Sequence, residues 1–279
     1  MPKIGFIGGG NMAKSLIGGL INAGYSASDI MIAEPDEARR LALNEQYKIN
    51  TSENNSDTLQ CDIIVLAIKP QLLKTVCLQL EPDLRSHPDK LLFISIAAGV
   101  RSTDINRWLN GNQDKQSAIV RCMPNTPSLL QCGASGLFAN DQVSNTQKTS
   151  AEDIMQAVGM VVWIETEDQL NAVTAVSGSG PAYFFLMMEA MQQAGETLGL
   201  SKEISQKLVL QTALGASRMA TESEHSPAEL RQMVTSKGGT TEQAILSFQN
   251  ADYLQLVQNA LQAANDRSIS LADELGASE

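Results

Sequence analysis

The chain has 279 residues, of which 43% are apolar and 18% are charged. This composition is too apolar and too weakly charged for a disordered chain, and the length allows one large domain or two ordinary ones. The formal net charge is −11, from 20 Lys and Arg against 31 Asp and Glu. We therefore expect no binding to nucleic acid or to an anionic membrane surface, and a small molecule as the ligand.

No apolar run approaches the roughly 18–20 residues that a membrane span needs, and glycines interrupt the N-terminal apolar stretch where a signal peptide needs continuity. The chain has only two histidines and four cysteines without a CxxC pair. These cysteines are Cys61, Cys77, Cys122 and Cys132. We expect no metal site, no histidine-dependent nucleophile, reduced thiols in the core and a cytoplasmic location.

The first region, residues 1–165, alternates short β-rich runs with helical ones. The predicted strands are Ile4–Ile7, Ile30–Ala33, Asp62–Ala67, Leu91–Ile96, Ala118–Cys122, Gly136–Ala139 and Val161–Ile164. The helices predicted between them include Met12–Ala23, Glu37–Gln46, Gln71–Leu80 and Thr103–Leu109. Such alternation is typical of βαβ units in a mainly parallel sheet, so we predict an α/β domain.

The second region, residues 166–279, has no strand pattern and is predicted to be all-α. The predicted helices are Gln169–Val176, Pro181–Leu198, Lys202–Thr221, Ala228–Val234, Glu242–Phe248 and Ala251–Leu275. Apolar stripes recur on several of these helices, for example at Leu254, Val257 and Leu261. Such surplus apolar surface favours burial against a second copy of the chain, so we expect self-association.

A glycine-rich segment lies between the first predicted strand and helix. Gly8 permits a tight turn, Gly10 lets the backbone approach a pyrophosphate, and Ala13 lets helix and strand pack closely. The first helical residues, Asn11 and Met12, then face the phosphates. In this position the pattern predicts dinucleotide binding in a Rossmann-type domain.

The end of the second strand bears on the choice of cofactor. Glu34 stands where an acidic side chain accepts hydrogen bonds from the adenosine ribose, which favours NAD. Arg39 and Arg40 lie one helical turn further and are placed to meet a 2′-phosphate instead. These residues by themselves do not decide between NAD and NADP.

Two later strands end at the same ligand crevice. We predict cofactor contacts at Ala67 and Lys69 after one of them and at Ala97 after the other, where small residues let a flat ring lie close to the backbone. The segment Met123–Pro127, pinned by two prolines, is interpreted as a wall of the nicotinamide pocket, with a rigid surface turn as the alternative.

Two small-residue segments stand out in the helical region. Ser177–Pro181 is predicted to be a turn that enters a helix at Pro181. Thr235–Thr241 separates two helical runs and combines two glycines with four hydroxyl residues, more than helix capping requires. Exposed N–H groups, hydroxyls and a helix N-terminus together form a receptor for a carboxylate.

These segments together resemble the pyrroline-5-carboxylate reductase family. The resemblance rests on Pro227–Thr241 with its continuation through Ala244, Ile245 and Phe248, on the glycine-rich start, and on Lys69–Pro70, Ala97–Gly99, Met123–Pro127 and Ser177–Tyr183 in the same order. It implies a Rossmann-type domain followed by an all-α dimerisation domain, with dimers assembled further, up to a decamer. It also implies reduction of 1-pyrroline-5-carboxylate to L-proline, with NADPH preferred and NADH allowed by Glu34.

Hydride transfer to an imine needs a clamp on the substrate carboxylate and a polar group at the nitrogen, but no nucleophile. Within the resemblance, Thr241 is the candidate catalytic residue, forming a hydrogen bond with the ring nitrogen. Ser236 and the N–H groups of Gly238, Gly239 and Thr240 are the candidates to hold the carboxylate. Which of the two hydroxyls, on Ser236 or Thr241, lies nearer the nitrogen stays open.

Two alternatives compete with this assignment. Another imine or β-hydroxyacid reductase of the same two-domain architecture would have similar cofactor turns, although Lys237 in a glycine-rich turn is poorly placed as its acid or base. A non-catalytic dinucleotide-binding module would bind the cofactor without oxidising it when the imine is added.

Overall fold

The structure is a computed structural model that describes residues 1–85, 87, 91–111 and 115–277. The chain forms two compact units, one of Met1–Ser179 with the stretch that begins at Ala263, and one of Gly180–Gln262. The boundary between the two units, after Ser179, lies beyond residue 165, where the sequence predicted the change from α/β to all-α structure. The α/β region followed by a helical region is as predicted.

The first unit contains an eight-stranded sheet in the order β3-β2-β1-β4-β5-β6-β7-β8. Its strands are β1 (Ile4–Ile7), β2 (Ile30–Ala33), β3 (Asn50–Ser52), β4 (Ile63–Leu66), β5 (Leu92–Ser95), β6 (Ala118–Met123), β7 (Gly133–Ala139) and β8 (Gly159–Trp163). All neighbours pair in parallel except β6 and β7, which are antiparallel. The predicted mainly parallel sheet is confirmed.

Helices cover both faces of this sheet, and strands such as β1 and β4 are therefore buried over their whole length. The helices of the first unit are α1 (Asn11–Asn22), α2 (Glu37–Tyr47), α3 (Pro70–Arg85), α4 (Ser102–Asn110), α5 (Asn145–Gln156) and α6 (Gln169–Val173). Leu16 and Ile17 of α1 pack in the core on one face, and Leu73 and Leu80 of α3 in the core on the other.

Two features of the sheet were not predicted. Strand β3 is a three-residue edge strand of polar residues, so it carries no apolar pattern. Strand β7 begins at Gly133, earlier than predicted, and runs antiparallel because only a short 3-10 turn, Thr126–Leu130, joins it to β6.

The prediction of four core thiols is wrong for one cysteine. Cys132 is exposed in the turn before β7, whereas Cys61, Cys77 and Cys122 are buried and all four are unpaired. Burial raises the pKa of the Cys61 thiol to about 11 and those of Cys77 and Cys122 to about 12. The three buried thiols therefore stay protonated and unreactive at neutral pH.

The second unit is helical and has little core of its own. The remaining helices are α7 (Gly180–Thr197), α8 (Lys202–Glu222), α9 (Pro227–Met233), α10 (Thr240–Asn250) and α11 (Tyr253–Ala277), whose C-terminal part belongs to the first unit. Large apolar side chains here are exposed, including Phe184 (65%), Leu186 (66%) and Leu254 (76%). Among the described residues, no helix is long and apolar enough to cross a membrane.

A buried ion pair joins three segments of the first unit. Arg121 of β6 donates to the Glu167 carboxylate at 2.9 Å, and Glu167 also accepts from the Ser102 N–H at 2.6 Å and the Ser102 hydroxyl at 2.7 Å. Burial lowers the pKa of the Arg121 guanidinium, which Glu167 opposes by attraction. The carboxylate thus holds the N-terminus of α4 and the segment before α6 against the sheet.

Replacing Glu167 by alanine leaves the Arg121 charge buried and two Ser102 donors unpaired. We expect Glu167→Ala to lower the free energy of unfolding by about 3–5 kcal/mol, measured by urea denaturation. The control is Glu203→Ala, which removes an exposed pair with Lys207 and should cost no more than about 1 kcal/mol. Equal losses in the two variants would contradict the assignment.

Candidate functional site

The predicted cofactor residues of the first unit come together at one edge of the sheet. The Gly8 N–H donates to the Ala33 carbonyl at 2.8 Å, and the Ala67 N–H donates to the Ile7 carbonyl at 2.9 Å. The Ile96 N–H continues the row by donating to the Leu66 carbonyl at 3.3 Å. Gly8, Glu34, Ala67 and Ala97 therefore follow the carboxyl ends of adjacent strands, where ligands bind in this type of sheet.

The glycine-rich turn has the backbone that its glycines predict. Gly8 has a φ of +96°, and a Cβ there would lie 2.6 Å from the Ala67 carbonyl oxygen, so only glycine fits. Gly10 is exposed and has open space where a Cβ would lie. It is also the N-cap of α1, whose first turn has no side-chain cap and no acidic residue. The N–H groups and the positive end of this helix are thus open to an anion.

The other predicted cofactor residues differ in their exposure. Asn11 is exposed at the first position of α1, whereas Met12 is partly buried against the core. Lys69 is exposed directly before α3, and Ala97 is buried at 5% exposure. Their side chains stand on the loops that the carboxyl edge of the sheet brings together, and their contacts with a cofactor stay predictions.

Glu34 is occupied by donors of its own chain. One carboxylate oxygen accepts from the Gly9 N–H at 2.8 Å and from Arg39 at 3.0 Å, and the other accepts from the Asp36 N–H at 3.0 Å. The side chain is only 5% exposed. The carboxylate therefore ties the glycine-rich turn to α2, a role that was not predicted from the sequence.

The two arginines after Glu34 are placed differently. Arg40 donates to the carbonyls of Glu34 at 2.7 Å and Pro35 at 2.8 Å, and its side chain is 17% exposed. Arg39 keeps 45% of its side chain exposed. Since a guanidinium has five N–H donors, Arg39 can bind an anion while it stays paired with Glu34.

The turn predicted over Ser177–Pro181 is wrong, but the helix predicted to begin at Pro181 is present. Thr174–Gly178 is π-helical, with the Ser179 N–H donating to the Thr174 carbonyl at 2.8 Å, and α7 begins at Gly180. A Cβ on Gly178 would lie 2.5 Å from the terminal carbon of Met123, so this segment packs closely on the predicted pocket wall. The glycine and serine residues suggested a turn, but the backbone at Thr174–Gly178 stays helical, with hydrogen bonds between residues five positions apart instead of four.

The segment Thr235–Thr241 in the second unit does connect two helices as predicted. Gly238 has a φ of +74°, and Gly239 is the N-cap of α10. The Gly238 N–H donates to the Glu242 carboxylate at 2.7 Å, and the Gly239 N–H donates to the Ser236 carbonyl at 3.0 Å. Neither Ser236 nor Thr241 occupies the N-cap position, so the hydroxyls are not needed to cap the helix.

Sequence reasoning missed the Glu34 contacts and the Glu242 carboxylate at Gly238. Glu242 stands four residues after Gly238, one helical turn, and that spacing next to a glycine-rich N-terminus was an available signal. The partners of Glu34 carried no such signal, because Gly9 lies 25 positions away in the chain.

Comparison with known proteins agrees with this geometry. Residues 167–271 match the family described as pyrroline-5-carboxylate reductase dimerisation, and residues 3–99 match the family described as coenzyme F420-dependent NADP oxidoreductase. The pyrroline-5-carboxylate reductase of Pseudomonas aeruginosa is 50% identical over 276 residues, which cover 99% of this chain and 98% of that protein.

Solved structures extend the comparison. A pyrroline-5-carboxylate reductase from Coxiella burnetii is 47% identical and superposes with a TM-score of 0.91 over 97% of this chain and 98% of that chain. The Plasmodium falciparum pyrroline carboxylate reductase, solved with NADP bound, is 31% identical with a TM-score of 0.82 over 97% of this chain and 98% of that chain. Since these matches run through both units at such identities, the chain belongs to the pyrroline-5-carboxylate reductase family.

Proposed function

We propose that the chain reduces 1-pyrroline-5-carboxylate to L-proline by hydride transfer from a reduced nicotinamide cofactor. Full-length identity to named reductases of this family supports the reaction. The observation that carries the assignment of residues is the Thr235–Thr241 segment, where a backbone N–H donates to a carboxylate at 2.7 Å. A non-catalytic module predicts cofactor binding without oxidation, so loss of NADPH absorbance on adding the imine tests the proposal.

The residues at the carboxyl edge of the sheet fit a dinucleotide. The uncapped N-terminus of α1 and the open space at Gly10 suit a pyrophosphate. Gly8, Gly10, Asn11 and Met12 would hold the phosphates, and Ala67, Lys69 and Ala97 would line the rest of the cofactor. When bound, the reduced nicotinamide supplies the hydride.

We assign a preference for NADPH to Arg39. Its side chain is 45% exposed and passes Gly9 at its Cδ, and its guanidinium donates to the nearly buried Glu34 carboxylate at 3.0 Å. The Glu34 carboxylate already accepts three hydrogen bonds from the chain, so it offers little to the ribose hydroxyls of NADH. The relative from Plasmodium falciparum was solved with NADP bound, which supports this choice.

The substrate carboxylate is assigned to Ser236 and to the N–H groups of Gly238, Gly239 and Thr240 at the positive end of α10. For these N–H groups to bind the substrate, Glu242 must turn away from the Gly238 N–H and the Gly239 N–H must leave the Ser236 carbonyl. Thr241, one position into the helix, is assigned to the ring nitrogen. If the imine arrives protonated from water, these residues need only orient it while the nitrogen becomes an amine.

We further infer a homo-oligomer, at least a dimer and up to a decamer, in the cytoplasm. The second unit leaves large apolar side chains exposed on α7, α8 and α11. Among its described residues the buried ones are few, Ser205 and Val209 being examples. A helical unit with so little core needs a second surface to cover it. The unpaired cysteines support a reducing compartment.

The role of Arg39 predicts a change in cofactor selectivity. Arg39→Ala should weaken NADPH binding by about 1.5–3 kcal/mol, one charge-assisted hydrogen bond, and leave NADH binding unchanged. Fluorescence titration with each cofactor measures both constants, and Arg218→Ala on α8 is the matched control. Equal weakening of the two cofactors would contradict the assignment.

The role of Glu34 predicts a different pattern. Glu34→Ser should weaken both cofactors, because the Gly9 and Asp36 N–H groups and Arg39 lose their acceptor together. Fluorescence titrations of Glu34→Ser with NADPH and with NADH measure the two binding constants. A selective loss of NADH with a gain in NADPH would show instead that the carboxylate serves the ribose.

The two hydroxyls of the Thr235–Thr241 segment should affect different kinetic constants. Thr241→Val should lower kcat about 10- to 100-fold, since its hydrogen bond strengthens as the nitrogen changes character. Ser236→Ala should mainly raise KM, because it removes binding common to the ground and transition states. Thr221→Val, where the hydroxyl bonds only to its own helix, is the control. Normal kinetics with a lowered melting temperature would identify both residues as structural.

Self-association should be visible at low concentration. Sedimentation equilibrium at micromolar protein should show a species of at least twice the 30.0 kDa chain mass. Leu254→Glu on α11 places a charge on an exposed apolar side chain and should weaken association if this face is buried between copies. A wild-type protein that sediments only as a monomer would contradict the inference.

A further inference from the structure

We propose that Asn125 is a positioning residue for hydride transfer. Its side chain donates the hydrogen bond that Pro181 cannot donate to the Ser177 carbonyl, and it thereby holds the π-helical segment Thr174–Gly178 at the edge of the cofactor site. The assignment rests on the proposed function, because it concerns the wall of that site. The starting observation is the Ser177 carbonyl, whose usual hydrogen-bond donor in a helix is replaced by Pro181.

The carbonyl in question belongs to Ser177. In an α-helix it would accept from the N–H four residues further along, but that residue is Pro181, which has no N–H. Ser177 is partly buried, and a carbonyl shielded from water without a donor costs free energy comparable to a lost hydrogen bond. The Asn125 side-chain amide donates to this oxygen at 3.1 Å and supplies the missing bond.

The same side chain is fixed at its other end. The Asn125 amide oxygen accepts from the Ala134 N–H at 2.9 Å, at the start of β7, and the residue is only 9% exposed. Both polar atoms of the amide are therefore used, and their orientation is determined by the two backbone groups that they meet. Asn125 thus connects the loop after β6, the beginning of β7 and the π-helical segment.

These three segments adjoin the cofactor edge. Met123 is the last residue of β6, and it lies against Gly178 of the π-helical segment. Val173, at the end of α6, lies against Gly136 of β7, where a Cβ would be 2.7 Å from a Val173 methyl. These close contacts lie at Met123 and at Gly136, which pair with each other across β6 and β7. A shift of the segment's backbone therefore moves the wall beside the predicted nicotinamide position. Hydride transfer depends on sub-ångström placement of the reacting atoms, so kcat should respond to such a shift.

The first test compares Asn125→Ala with Asn140→Ala. Asn140 makes a similar bridge at the other end of β6, donating to the Ser117 carbonyl at 2.9 Å and accepting from the Ile119 N–H at 3.1 Å and the Gln142 N–H at 3.3 Å. Asn125→Ala leaves one backbone carbonyl and one N–H without their side-chain partner, and Asn140→Ala leaves one carbonyl and two N–H groups, so we expect Asn140→Ala to lower the melting temperature at least as much. Only Asn125→Ala should lower kcat, by about ten-fold or more, with NADPH affinity within about two-fold of the wild type. Equal kcat for the two variants would overturn the proposal.

The second test restores the missing donor. Pro181→Ala gives residue 181 an N–H that can donate to the Ser177 carbonyl, so adding it to Asn125→Ala should recover most of the lost kcat. Amide exchange of the cofactor-free protein should be faster at residues 174–180 in Asn125→Ala and slower again in the double variant. If Pro181→Ala alone is active but gives no recovery in kcat or exchange, the proposal is wrong. If the wild type itself does not oxidise NADPH with the imine, the proposed function fails, whereas the exchange result still tests the bridge.

Discussion

The parallel arrangement of β2, β1, β4 and β5 is the constraint on which the first unit depends. Parallel strands all end at the same edge, so the loops that follow them meet there wherever they lie in the chain. Hydrogen bonds from Gly8, Ala67 and Ile96 to the neighbouring strand ends continue the sheet by one residue into these loops. The result is a row of backbone turns with an uncapped helix N-terminus at its centre, suited to a long, anionic cofactor.

The turns at this edge are shaped mainly by backbone groups that need partners. Glu34 accepts from two backbone N–H groups, Asn125 pairs with a carbonyl and an N–H, and Glu167 accepts from the N–H at the start of α4. In each case one buried or nearly buried polar side chain joins segments that are far apart in sequence. Buried backbone groups must be paired, so these side chains help to fix the positions of the loops that they join.

The second unit follows a different rule. Its helices carry apolar stripes that a single copy leaves exposed, and its polar features are concentrated in one segment, Thr235–Thr241. At the start of α10 the Gly238 N–H donates to the Glu242 carboxylate of the same helix, and the Gly239 N–H donates to the Ser236 carbonyl. A carboxylate of the chain therefore stands at the position that we propose for the carboxylate of the substrate, and the two would compete for the Gly238 N–H.

The sequence by itself determined what depends on local pattern. The strand and helix periodicities predicted β1 and β2 to the residue, and the glycine spacing predicted the turn at Gly8. The 227–248 segment, together with the glycine-rich start, carried the resemblance to the family. Contacts between distant residues carry no local signal. The tertiary structure alone therefore decided that Glu34 accepts from the Gly9 N–H, that Asn125 donates to the Ser177 carbonyl and that Cys132 lies outside the core. The short polar strand β3 and the π-helical register at Thr174–Gly178 also depend on neighbours, because their residues favour edges and turns when read in isolation.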